Sequence, residues 1–159
     1  MTNNPIWSTI FDEIKTGIAN GDGGPFGAAV VKNGEIISSA HNTVISHHDP
    51  VAHAEINAIR QACAKLGTEK LDDCVLYTSA EPCPMCLAAA YWANLKEIIY
   101  IIDRNELKKH TGFADEDYYH EMCSPHAERA LPIHADTSAQ KELEDLIGAW
   151  NASDKKKMY

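Results

Sequence analysis

The chain has 159 residues, 45% of them hydrophobic, a length and balance that suit one globular domain over residues 1–159 with one substantial core. Its formal net charge of −9, from 23 acidic against 14 basic side chains, disfavours a polyanionic partner, because the phosphates of DNA or RNA demand a basic surface. No run reaches the roughly 18 apolar residues of a membrane span, and Met1 to Trp7 lack the basic and apolar regions of a signal peptide. Five cysteines, an odd number, argue for free thiols in a reducing compartment, so a soluble cytoplasmic protein is expected.

Residues 5–20 place Ile6, Trp7, Ile10, Phe11, Ile14 and Ile18 at helical spacing before a Gly-rich stop, which predicts an amphipathic helix. Segments 26–32 and 35–40 read as antiparallel strands joined by Asn33-Gly34, two residues that tolerate positive φ and so favour a hairpin. Residues 53–66 align Ile56, Ile59, Ala62, Cys63 and Leu66 on one helical face, with Gly67 as the stop. A strand follows at 74–78, then a helix at 83–92 that tolerates Pro84 in its first turn, then a buried strand at 97–102. A short helix near 105–110, a turn at Gly112-Phe113, an acidic aromatic stretch at 115–122, a strand near 131–135 and a helix from about 138 to 153 complete the chain. This order predicts a sheet between helical layers, with parallel pairing after the first hairpin.

The chemistry concentrates in His53-Ala54-Glu55 and Glu81-Pro82-Cys83-Pro84-Met85-Cys86. In the first turn of a helix, Cys83 and Cys86 turn both sulfurs to one side, and the free N–H groups there favour thiolates. His53 joins them if it stands at the very start of its helix. One His and two Cys ligate one zinc ion per chain and leave a fourth position for water, the mark of a catalytic rather than a structural site. Two thiolates also neutralise most of the ion's charge, so a nearby base is needed. Glu55 is placed to take a proton from water and return it to a substrate nitrogen. An isolated Cys-x-x-Cys also suits a redox dithiol, or a structural zinc closed by Cys74 or Cys123, and the upstream His-Ala-Glu weighs against both. Cys63, Cys74 and Cys123 read as small apolar thiols.

His-x-Glu followed by Pro-Cys-x-x-Cys is the signature of zinc-dependent nucleobase deaminases, and the chain resembles the cytidine-deaminase-like superfamily, in particular its bacterial guanine deaminase branch. The resemblance runs through Gly23–Ala28, Asp49–Glu55, Leu71–Ser79, Glu81–Leu87, Tyr91–Ala93, Gly112-Phe113 and Tyr159. It implies an α/β fold, a three-layer α/β/α sandwich with a five-stranded mixed sheet, assembled as a homodimer in which C-terminal segments are candidates for exchange. It also implies hydrolysis of guanine to xanthine and ammonia. By the same resemblance Phe26 and Phe113 wall the base, Asn42 hydrogen-bonds it, and His53 and Ala54 touch it. Asp115, with Asp117 as the alternative, binds the guanine edge and assists proton transfer. Tyr159 closes the pocket within a tail at about 154–159, over its own site or the partner's.

A tRNA adenosine deaminase shares the zinc motifs but requires a basic face for its RNA. The acidic balance and the run Asp115-Glu116-Asp117 favour a free purine base as the small-molecule partner. Two further readings are a deaminase of another small amidine, such as cytosine or an aminotriazine, and a non-catalytic zinc-binding interaction module. Glu55 speaks against the module, because a structural zinc has no use for a carboxylate that is not a ligand.

Overall fold

The computed structural model describes residues 4–113 and 115–158. They fall into two compact units, Met1–Tyr119 and His120–Tyr159. In the first unit, Asn4 caps helix α1 (Pro5–Asn20) by accepting the Ile6 N–H at 2.9 Å, and Gly21 ends it at a φ of 72°. Strands β1 (Gly27–Lys32) and β2 (Glu35–His41) form the expected hairpin, with Asn33 and Gly34 both at positive φ. The short helix α2 (Val44–His47) leads to α3 (Ala54–Leu66), β3 (Cys74–Ala80), α4 (Pro84–Trp92), β4 (Glu97–Ile102), α5 (Arg104–Thr111) and α6 (Asp115–Cys123).

Among the described residues the sheet has four strands, in the order β2-β1-β3-β4. β3 pairs parallel with β4, as expected, but β1 and β3 are antiparallel. The α3 crossover returns the chain so that β3 runs alongside the direction of β2, which the hairpin has already reversed relative to β1.

Side-chain alternation assigns the two faces. Ala28, Val30, Ala40, Cys74 and Leu76 pack with Ala54, Ala58, Ile59 and Ala62 of α3, where the run of alanines lets the helix lie close to the sheet. On the other face Trp7 of α1 meets Tyr77 edge-on at 5.3 Å, and a Cβ on Gly27 would lie 2.9 Å from Ile14. The three-layer order is therefore α1, sheet, α3, with α4 beside α3.

The fifth strand expected near 131–135 does not form: Leu131–Ala135 is irregular. Pro132 sits inside that run, removes a ladder N–H and restricts its neighbour, which outweighs the β propensity of Ile133. The acidic aromatic stretch at 115–122 is helical, as α6. In the second unit, Arg129 bonds back to the carbonyls of Ser124 (2.9 Å) and Met122 (3.0 Å), and α7 (Gln140–Asn151) closes the chain with Leu143, Leu146, Ile147 and Trp150 exposed. No described helix is long and apolar enough to cross a membrane.

Candidate active site

His53 and Cys83 are the N-cap residues of α3 and α4, both in extended conformation (ψ 156° and 167°), so their side chains project beyond the helix ends toward one point. Cys86 reaches the same point from the first turn of α4. His53 Nδ1 lies 3.7 Å from Cys83 Sγ and 3.6 Å from Cys86 Sγ, and the three donor atoms lie within 4.8 Å of one another. A tetrahedral zinc with ordinary Zn–S and Zn–N bonds holds such donors about 3.5 Å apart, so this soft, closely grouped set fits the ion.

The thiols are primed unequally. Cys83 is lowered to about 4, first by the hydrogen bond from the Cys86 thiol and then by His53, against the cost of its burial. Cys86 is pushed up, first because it donates that bond, then by burial and by the nearby Glu55 carboxyl. His53 is raised mainly by its hydrogen bond with Cys83.

Glu55, in the first turn of α3, is 6% exposed, and burial raises its pKa against the opposing pull of its own backbone N–H and of Thr78. Thr78 Oγ1 donates to Glu55 Oε1 at 3.0 Å, while Oε2 faces Cys86 Sγ at 3.6 Å. The carboxyl thus stands beside the metal site without completing it. Such placement suits a proton carrier.

A cavity of about 270 Å³ opens above this group, lined by His53, Glu55, Cys83, Phe26, Asn42, Phe113 and Asp115, among others. Phe26 and Phe113 meet edge to face, centroids 5.4 Å apart, and form an aromatic wall. Asn42 is buried, and its Oδ1 accepts the Val44 N–H at 3.1 Å, so the group it offers the cavity is its amide Nδ2–H. Gly23 permits this approach, since a Cβ there would lie 2.0 Å from Asn42 Oδ1. Burial, followed by the Cys83 thiolate, raises the Asp115 carboxyl, while His53 and Arg104 pull it back.

The structure therefore brings His53, Cys83, Cys86, Glu55, Phe26, Asn42, Phe113 and Asp115 to one place. Asp115 lines the cavity and Asp117 does not. The Ala54 side chain packs in the core beneath the sheet-facing side of α3. Tyr159 lies outside the described residues. Sequence reasoning missed Thr78, which the alternation of β3 marks only as another inward position, and Glu81 and Arg104, whose pairing no local spacing announces.

Comparison with known proteins places these features in a family. The profile "Cytidine and deoxycytidylate deaminase zinc-binding region" matches residues 7–102. A guanine deaminase of Bacillus subtilis is 46% identical over 143 residues, 90% of each chain. The crystal structure of B. subtilis guanine deaminase superposes with a TM-score of 0.90 at 42% identity, covering 100% of this chain and 99% of that one. A guanine deaminase from Nitrosomonas europaea has a TM-score of 0.65 at 32% identity over 72% of this chain and 65% of its own. The similarity to a tRNA-specific adenosine deaminase of Aquifex aeolicus, 47% identical, extends over 89 residues, 55% of this chain and 56% of that one. With its zinc donor set, its sheet order and a profile match spanning more than half its length, the chain belongs to the cytidine and deoxycytidylate deaminase zinc-binding family.

Proposed function

We propose that the protein is a zinc-dependent aminohydrolase that converts guanine and water to xanthine and ammonia. The observation that carries this reading is the cavity. It is small, aromatic-walled and floored by His53, Cys83 and Glu55, and it carries a donor at Asn42 and a carboxyl at Asp115 for the edge of a purine. Similarity to guanine deaminase of B. subtilis along 90% of the chain supports the same substrate.

When bound, zinc supplies a Lewis acid that makes a water molecule a stronger acid at neutral pH. Phe26 and Phe113 form one aromatic wall against which the base lies, and the Asn42 amide donates to a ring acceptor. Glu55, held by Thr78, takes a proton from the attacking water and delivers it to the ring nitrogen beside the amine-bearing carbon. Asp115 holds the amine edge and relays to the amine the second proton of the attacking water, with which ammonia departs as the carbonyl forms.

Two features speak against tRNA as substrate. An RNA stem-loop requires a basic track for its phosphates, and this chain carries a net −9. The similarity to the A. aeolicus tRNA-specific enzyme also stops at about half the chain. A small pyrimidine or triazine amidine would leave part of the cavity unfilled, and a non-catalytic zinc module would not bury Glu55 beside the ligands.

We take residues 1–159 as one deaminase domain acting in the cytoplasm as a homodimer. The exposed apolar row of α7 and the exposed Tyr100 and Ile101 on β4 support dimerisation. Exchange of C-terminal segments would let the tail at 154–159, with Tyr159, close one site or its neighbour's. The deciding experiment is ammonia release from guanine, adenine, cytosine, aminotriazines and an anticodon stem-loop RNA. Guanine is expected to react fastest, and turnover of the RNA with none of guanine would overturn the assignment.

A further inference from the structure

Helix α6 carries Asp115 to the cavity, yet none of its described side chains is fully buried. Hydrophobic packing therefore does not set its position, and the Lys108–Glu116 ion pair, 3.6 Å long and half exposed, contributes little. What holds the first turns of α6 is a closed ring of polar contacts that begins at the zinc loop.

Glu81, two residues before Cys83, accepts from the Arg104 backbone N–H at 3.0 Å, from Arg104 Nε at 3.1 Å and from a terminal nitrogen of the same guanidinium. That guanidinium lies over the Tyr119 ring, 4.0 Å from its centroid. The Tyr119 hydroxyl in turn donates to the Pro82 carbonyl at 2.8 Å, at the peptide bond that leads into Cys83. Glu81, Arg104, Tyr119 and Pro82 thus close on themselves.

Tyr119 stands four residues after Asp115, one turn along the same helical face. Whatever fixes Tyr119 therefore fixes the direction in which Asp115 enters the cavity. Glu81 also lines that cavity, but both its oxygens accept from Arg104. It is a brace rather than a third proton carrier.

We propose that Arg104 is a positioning residue for the reaction: clamped by Glu81 and stacked on Tyr119, it holds α6 so that Asp115 faces the substrate amine beside Cys83. The inference rests on the reading of this cavity as the guanine site. A lysine could not replace the arginine, because only the planar guanidinium gives Glu81 Oε1 two side-chain donors while its face lies on an aromatic ring.

The test combines kinetics with hydrogen exchange on the full-length zinc protein. Arg104→Met is expected to lower kcat on guanine by about 10- to 100-fold, with zinc near one per chain, and Arg104→Lys to recover only part of the loss. Tyr119→Phe, which keeps the stack and loses only the bond to Pro82, is expected to cost about threefold to tenfold. In an Asp115→Asn background, Arg104→Met should cost less than about threefold, because its effect runs through Asp115. The amides of α6 should exchange faster in Arg104→Met while those of α3 and β3 stay protected. Unchanged kcat, fully multiplicative effects of the two substitutions, or unchanged exchange in α6 would overturn the proposal. If the wild type releases no ammonia from guanine, the substrate assignment falls, and exchange in α6 still decides whether Arg104 orders that helix.

Discussion

Thr78 Oγ1 donates a 3.0 Å hydrogen bond to Glu55 Oε1 across 23 residues of sequence, inside the protein where both side chains are buried. Thr78 occupies the α3-facing side of β3, in the inward row that also holds Cys74 and Leu76. The bond restrains one carboxyl oxygen of Glu55 and leaves the other toward Cys86 and the cavity. A buried carboxyl needs such a partner, and a proton carrier needs one free oxygen aimed at the reacting atoms.

Glu55→Gln keeps the shape and the Thr78 partner but cannot accept a proton. It is expected to lower kcat for guanine by about 10²- to 10⁴-fold, the usual range for a general acid–base group. Zinc content measured on the same sample should stay near one per chain, since Glu55 is not a ligand. Full turnover by this variant would remove the proposed mechanism.

Thr78→Val removes only the hydroxyl at nearly constant volume. A lost bond to a carboxylate is worth ~1.5 kcal/mol or more, so a fall of about tenfold in kcat is expected with KM little changed. Equal kcat in both proteins would show that Glu55 is held without Thr78.

The cysteines divide by environment, and thiol labelling reads the division. Cys123 is exposed, whereas Cys74 is fully buried and pushed up to about 11 by burial and by its hydrogen bond to Asp73. In the zinc-loaded protein Cys123 should label fast and Cys74 should resist. Removing zinc with a chelator should add Cys83, whose thiol is lowered to about 4. Mass spectrometry of labelled peptides identifies each site, and labelling of Cys83 at one rate with and without chelator would contradict its role as a ligand.

His41 is clamped between Glu13 (2.8 Å to Nδ1) and Asp22 (3.0 Å to Nε2). Burial opposes the charged imidazole, but the bonds to the two carboxylates outweigh it and raise the pKa. A raised folded-state pKa contributes stability that is complete below the unfolded value of about 6.5 and is lost as pH rises through the folded value. His41→Gln should therefore lower Tm more at acidic pH near 6 than at pH 9, measured by thermal unfolding at both. The same Tm loss at the two pH values would show that the clamp does not depend on the imidazolium.

Deleting Lys157-Met158-Tyr159 tests the tail. Turnover of guanine should fall while zinc stays near one per chain. Unchanged kinetics would show that Tyr159 does not close the site.

The parts legible in the sequence are those encoded by neighbours along the chain. Asn33-Gly34 makes a hairpin because both residues accept positive φ, and they do so at 51° and 83°. The metal donors are readable for the same reason: Cys83, Cys86 and His53 lie at helix starts, where spacing of a few residues decides which way a side chain points. A strand over 131–135 was equally plausible from its apolar residues, yet Pro132 leaves a missing ladder donor that no local preference repairs.

Sequence alone determined the reaction chemistry of this protein: three soft donors, an adjacent carboxyl and an acidic chain ill suited to RNA. Tertiary structure decided how that chemistry is aimed. The parallel register of β3 and β4 sets Ala80 opposite Ile102, and this brings Glu81 to Arg104 across 23 residues. The guanidinium of Arg104 lies in turn over Tyr119, one turn beyond the cavity-lining Asp115, and it is the sheet that sets Thr78 against Glu55. These pairings depend on strand register and helix rotation, which arise only when distant segments share one core, so no short window of residues encodes them.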